Sequence, residues 1–315
     1  MSTSPLYYAK ILLFGEYGII NNSNALSIPF DYFYGSFGFM IPGRETPEQK
    51  ESNRHIAEYL KYLQLLEVNS EFFTRFDFVR LESDIKKGLF FDSSIPQGFG
   101  VGSSGALVAA VYDNYAINKI DPETTLSQEN LPLLKKQLSV MESYFHGKSS
   151  GMDPLICYLK IPVLLSSSNS LNPIRLPESS GTGNSAIFLI NSGIPGKTQS
   201  MVSIFMEKMK NEGFRKLLKD QFIKYNDACI EAFLNGDIKV FFKNLKKLSG
   251  WVLTHFNPMI PENLIDLWKK GLSTNEYYLK LCGSGGGGFV LGFAPDYEKA
   301  YKTLAPYKPE IIFRL

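Results

Sequence analysis

An α+β fold is what this 315-residue sequence predicts, and three observations carry it. Strand-like and helix-like segments alternate without the regular βαβ rhythm of a doubly wound sheet. A segment rich in Ser, Asn, Pro and Gly, Ser166 to Gly183 (SSSNSLNPIRLPESSGTG), interrupts the pattern and marks a domain boundary, which assigns residues 1–180 to one domain and 181–315 to a second. The length favours two domains around a cleft, because single cores split at roughly 250 to 300 residues.

The elements follow in order. Tyr7 to Phe14 is aromatic and leucine-rich and ends at Gly15, which predicts a buried strand and a turn. Residues 49–65 place Ile56, Tyr59, Leu60, Tyr62 and Leu65 among charged side chains, the pattern of an amphipathic helix. A strand is expected from Phe72 to Leu81. The small-residue run Ser103 to Tyr115 then reads as a helix packed under a glycine loop. Leu131, Leu134, Leu138, Met141 and Phe145 step at helical spacing, and that helix should stop at Gly147. After the boundary come a strand at IFLI (187–190), several helices between Met201 and Gly271, and strands at YYLKL, FVLGF and IIFRL.

Composition removes whole classes of function. Lys and Arg number 33 against 31 Asp and Glu, so no field would recruit nucleic acid or an anionic membrane. No apolar run approaches the roughly 20 residues of a membrane span, and MSTSPLYYAKILLFG reads as a strand rather than a signal peptide. The three cysteines, Cys157, Cys229 and Cys282, have neither zinc nor disulfide spacing, which fits a reducing cytoplasm. A soluble cytoplasmic protein is the expectation.

Three stretches carry chemistry. In IPQGFGVGSSGA (95–106) glycines let backbone N–H groups face an anion, and the helix start and serine hydroxyls add to the same attraction. Alone, this stretch reads equally well as a structural turn, and it is neither a Walker A loop nor a dinucleotide fingerprint. MESYFHGKSSGMDP (141–154) sets Glu142 eleven residues before Asp153 past two glycines, so two carboxylates can converge; a solvated helix residue and a turn former are the plain alternative. LKLCGSGGGGFVLGF (279–293) runs a strand into four successive glycines, a sequence that costs entropy to order and suits close backbone approach. Lys10, in an apolar strand, needs a partner or an edge position.

In this order, AKILLFGEYGII, IPQGFGVGSSGA and LCGSGGGGFVLGF resemble the three motifs of the GHMP kinases, a superfamily named for galactokinase, homoserine kinase, mevalonate kinase and phosphomevalonate kinase, over nearly the whole chain. The resemblance implies two α+β domains with the active site in the cleft between them, and ATP and Mg2+ as cofactors. It implies that Gly98, Gly100, Gly102, Ser103, Ser104 and Gly105 hold the triphosphate with Gly283 and Gly285 of the last motif, and that Ser104 and Glu142 ligate magnesium. Asp153 is implied as catalytic base and Lys10 as the group lowering the acceptor hydroxyl's pKa; Glu16, Tyr17, Thr198 and Ser284 fall to the substrate. HGKSSGMDP resembles the HGxPSGxD stretch of mevalonate kinases. GEY in place of GEH, Gly196 in place of an arginine and Ser284 in place of an alanine depart from them, and GEY is frequent in phosphomevalonate kinases. Mevalonate is therefore the favoured acceptor and phosphomevalonate the alternative, with a catalytically silent nucleotide sensor as a rival of another class. Superfamily members are often dimers, so a homodimer is the assembly implied.

Overall fold

The computed structural model describes residues 4–68, 74–168, 170–177, 183–196 and 198–315. Nine strands and eleven α-helices are described, and the chain divides into two compact units. The first comprises the chain up to Lys10, Pro29–Pro96 and Gly102–Ile161; the second comprises Ile11–Ile28, Gln97–Val101 and the chain from Pro162 onward. Strands β1 (Tyr7–Phe14) and β2 (Ala25–Phe39) therefore each contribute residues to both units.

In the first unit β2 pairs antiparallel with β3 (Leu89–Ser93) from Gly35↔Ser93 to Phe39↔Leu89. Helix α1 (Pro47–Val68) packs on β3 and on α2 (Phe78–Lys86), burying Ile56, Tyr59, Leu60 and Leu63. Helices α3 (Ser103–Tyr115), α4 (Leu131–His146) and α5 (Met152–Leu159) pack on one another through Val108, Val111, Leu134, Leu138, Leu155 and Ile156, all fully buried. Gly105 permits this fit: a Cβ there would stand 2.8 Å from the backbone carbonyl carbon of Asp153, closer than packed atoms approach. The stop after α4 is as expected, with Gly147 at φ 74°.

The strand expected at Phe72 to Leu81 is not there in its described part. Phe76 makes one bridge to Ala116, and from Phe78 the chain is helix α2, because the Asp77 side chain accepts the Arg80 N–H and caps it. Residues 72 and 73 lie outside the described residues.

In the second unit the near end of β2 pairs with β4 (Val163–Leu165), which pairs with β5 (Leu171–Pro173). A four-stranded antiparallel sheet has the order β7-β8-β6-β9, from β7 (Tyr278–Leu281), β8 (Phe289–Ala294), β6 (Ala186–Asn191) and β9 (Glu310–Arg314). Helix α6 (Thr198–Met209) and α7 (Glu212–Leu217) lead into a π-helical turn, Leu218–Ile223, and α8 (Lys224–Leu234). Then α9 (Ile238–His255) packs on α8 and β7, α10 (Ile265–Thr274) packs on α9, and α11 (Tyr297–Leu304) precedes β9. Phe188, Phe233, Phe241, Trp268 and Phe293 form its core. Among the described residues no helix is long and apolar enough to cross a membrane.

Candidate active site

In the first unit four of the expected residues come together. Lys10 is 3% exposed and its Nζ lies 2.9 Å from Oδ1 of Asp153. Strand β1 stands at the end of its sheet, yet the lysine is buried at an ion pair and does not reach the solvent at that edge. Gly102 makes room for its stem, since a Cβ at that position would lie 2.9 Å from Cγ of Lys10. Asp153 occupies the first turn of α5, where the helix's N-terminal partial charge favours an anion.

Beside this pair, Ser104 in the first turn of α3 donates its hydroxyl to Oε1 of Glu142 at 3.2 Å, and Ser149 donates to Oε2. Glu142 is 3% exposed. Burial, and then the nearby Asp153 charge, push its carboxyl up to about 8, against the opposing pull of the Ser149 bond and Lys10. A carboxylate that its surroundings do not balance, next to a hydroxyl, is a hard-oxygen donor pair of the kind magnesium takes when phosphate and water complete its shell. Ser103 is half-buried at the start of α3, and Lys148 is exposed. Ser149 was not singled out by the sequence; it lies inside HGKSSGMDP, and only the fold shows which serine of the pair turns to Glu142.

The second unit holds the other glycines. Gly98 and Gly100, like Gly102 after them, have φ near 80°, an alternation that turns successive N–H groups toward one side. Gly100 lies against the last motif: a Cβ there would stand 2.5 Å from the Cys282 carbonyl oxygen. Backbone bonds weave the loops together, from Gly196 N–H to the Gly98 carbonyl at 2.8 Å, Phe289 N–H to Phe99 at 3.3 Å, and Gly288 N–H to Ile194 at 2.6 Å. At Gly196 a Cβ would lie 2.9 Å from the Gly285 carbonyl oxygen, so a larger side chain there does not fit this arrangement of the loops.

Glu16 is buried in an ion pair with Lys280, whose Nζ also donates to the Leu281 carbonyl at 3.0 Å. The two charges sit in the wall of a small apolar pocket formed with Phe222, Leu248, Val252, Phe256 and Leu281. The Tyr17 hydroxyl donates to the Ser284 carbonyl at 2.6 Å. Lys280 was missed by the sequence reasoning, although a lysine in the apolar run YYLKL is the same signal that marked Lys10. Thr198 is the first residue of α6, and its side chain lies outside the described residues. Among the described residues no group of three His, Cys, Asp or Glu could hold a metal.

Residues 63–160, which include α3, Glu142 and Asp153, match the family model for the GHMP kinases N terminal domain. Among solved structures, the chain resembles the mevalonate kinase of L. major in complex with R-mevalonate (18% identity, 99% of this chain and 95% of that one, TM-score 0.64). It likewise resembles the Methanococcus jannaschii mevalonate kinase (19%, 99% and 97%, TM-score 0.59). A third likeness is to the Streptococcus pneumoniae phosphomevalonate kinase in complex with phosphomevalonate and AMPPNP (14%, 99% and 99%, TM-score 0.63). No curated protein matches by sequence. Residues 63–160 are thus a GHMP kinase N-terminal domain, carried in a chain with the GHMP kinase fold.

Proposed function

We propose that this protein is an ATP-dependent small-molecule kinase that phosphorylates mevalonate, giving 5-phosphomevalonate and ADP. The observation that carries it is the Lys10–Asp153 ion pair at 2.9 Å beside the Ser104–Glu142 pair. Phosphoryl transfer to an alcohol needs a carboxylate at the attacking hydroxyl and positive charge on the phosphates. Asp153, with its side chain 38% exposed, is the member of the ion pair that an acceptor hydroxyl can reach. It orients that hydroxyl and takes its proton as the O–P bond forms and the bond to ADP breaks. Lys10 keeps the carboxylate in place and offsets negative charge developing on the acceptor oxygen.

Ser104 and Glu142 are the residues that would hold a magnesium ion, whose chemistry there is to neutralise phosphate charge. By the resemblance, the glycines of 98–105 and Gly283 and Gly285 are the residues that would hold the triphosphate. The match of HGKSSGMDP to mevalonate kinases and the likeness to a structure solved with R-mevalonate support the acceptor. GEY and the likeness to a structure solved with phosphomevalonate favour phosphomevalonate as the second reading. The test is ADP release with ATP and Mg2+ on mevalonate, phosphomevalonate, homoserine and galactose in parallel. Turnover on mevalonate alone supports the proposal, a preference for phosphomevalonate replaces the acceptor, and no turnover with any of the four overturns it.

A further inference from the structure

Tyr17 follows Glu16 directly after β1, and its phenol ends on backbone. The residue is 8% exposed, and its ring centroid lies 4.6 Å from that of Phe205 and 5.2 Å from that of Phe256. Burial pushes the phenol well above its ordinary value, so at neutral pH the hydroxyl is a neutral donor to the Ser284 carbonyl. The backbone of Tyr17 has φ 57° and ψ −31°, a conformation that a bulky residue keeps only where its surroundings impose it. One residue earlier, Glu16 holds Lys280, which in turn donates to the Leu281 carbonyl. Two neighbouring residues of one turn therefore grip the segment 280–284 at two points.

The planar trans peptide passes this grip on. Its C=O and N–H point in opposite directions, so holding the Ser284 carbonyl on Tyr17 turns the Gly285 N–H away from Tyr17. Gly286 N–H goes to Met259 and Gly288 N–H to Ile194, whereas Gly285 N–H makes no backbone bond among the described residues. Gly283 and Gly285 to Gly288 all have positive φ. Such a run has little intrinsic preference that would keep a peptide plane in one orientation. The same segment supplies the Cys282 carbonyl against which Gly100 sits.

We infer that Tyr17 is a positioning residue: its hydroxyl sets the Ser284–Gly285 peptide plane, and with it an N–H donor and the seat of Gly100, for the phosphates of a nucleotide. It serves the nucleotide and not the acceptor. This rests on the nucleotide-dependent activity proposed above.

The test is Tyr17→Phe, which removes one oxygen and keeps the ring. The dissociation constant for MgATP is measured by calorimetry, both Michaelis constants by ADP release, and amide hydrogen exchange across 282–289 by mass spectrometry. Loss of one neutral hydrogen bond corresponds to about a five-fold weakening. The expected result is that rise for MgATP, an acceptor Michaelis constant within about two-fold of wild type, and faster exchange in the loop. A raised acceptor constant with unchanged MgATP affinity would make Tyr17 an acceptor contact, and a lower melting temperature with both constants and loop exchange unchanged would make it a packing residue. Either result overturns the inference. A wild type that takes up no MgATP would overturn the kinase assignment as well, and it is measured first.

Discussion

Lys10 and Asp153 form an ion pair that is buried on one side only: 2.9 Å separates them, with the lysine side chain 4% exposed and the aspartate 38%. The buried partner cannot leave, and the open partner can meet a substrate. Asp153→Asn keeps a hydrogen-bond acceptor for Lys10 while losing the base. It should lower turnover by about 100-fold or more and change MgATP affinity by less than about three-fold. Steady-state kinetics with calorimetry decide it, and a variant retaining more than a tenth of the wild-type rate would remove Asp153 from the role.

Glu142 gives a pH dependence of definite sign. Burial raises its carboxyl to about 8 in the folded chain, so between the ordinary carboxylate range and that value the folded state binds the extra proton. Stability then falls as pH rises through this window and levels off above it. Without metal, the melting temperature of the wild type should drop more between about pH 5 and about pH 8 than that of Glu142→Gln. Parallel slopes for the two proteins would place the titration elsewhere.

Gly105→Ala introduces a Cβ into the seat of Asp153, 2.8 Å from its carbonyl carbon. Overpacking of this kind costs about 1–3 kcal/mol, and displacement of α5 moves the carboxylate off its position. Turnover should fall by about ten-fold or more, because misplacement of a reacting group is amplified in rate, while thermal unfolding reports the smaller stability loss. A variant with full activity would show that α5 accommodates the methyl group.

Lys280→Met leaves Glu16 buried without its counter-charge, and breaking a buried pair from one side costs about 3–5 kcal/mol. Adding Glu16→Gln removes the stranded charge, so the double variant should be more stable than Lys280→Met alone. Denaturant unfolding of the wild type, both single variants and the double variant measures the coupling. An additive cycle would show that the pair carries no interaction energy.

Local pattern was enough for much of this molecule. The strand Tyr7–Phe14 and the helix Ser103–Tyr115 have the bounds expected from composition and breakers, and the motifs do carry the residues that meet around Glu142. The α2 helix was misjudged because Phe76, Phe78 and Val79 suggest a strand, while the cap on Asp77 that decides the matter is one side-chain bond. Ser149 and Lys280 were missed for another reason. Their partners are chosen by the fold: Glu16 and Lys280 are 264 residues apart, and no periodicity encodes such a pairing.

The distribution of the chain over its two units has a consequence for biosynthesis. The segments Ile11–Ile28 and Gln97–Val101 belong to the unit that otherwise starts at Pro162, and Gly98 and Gly100 find their neighbours at Pro195 and Cys282. A growing chain on the ribosome has made these glycines long before it has made what they rest on. On the proposed function, competence to hold a nucleotide would arrive late in translation, once the strand after Gly288 has emerged, and a nascent chain stalled before that point would lack the stabilisation that a bound nucleotide gives.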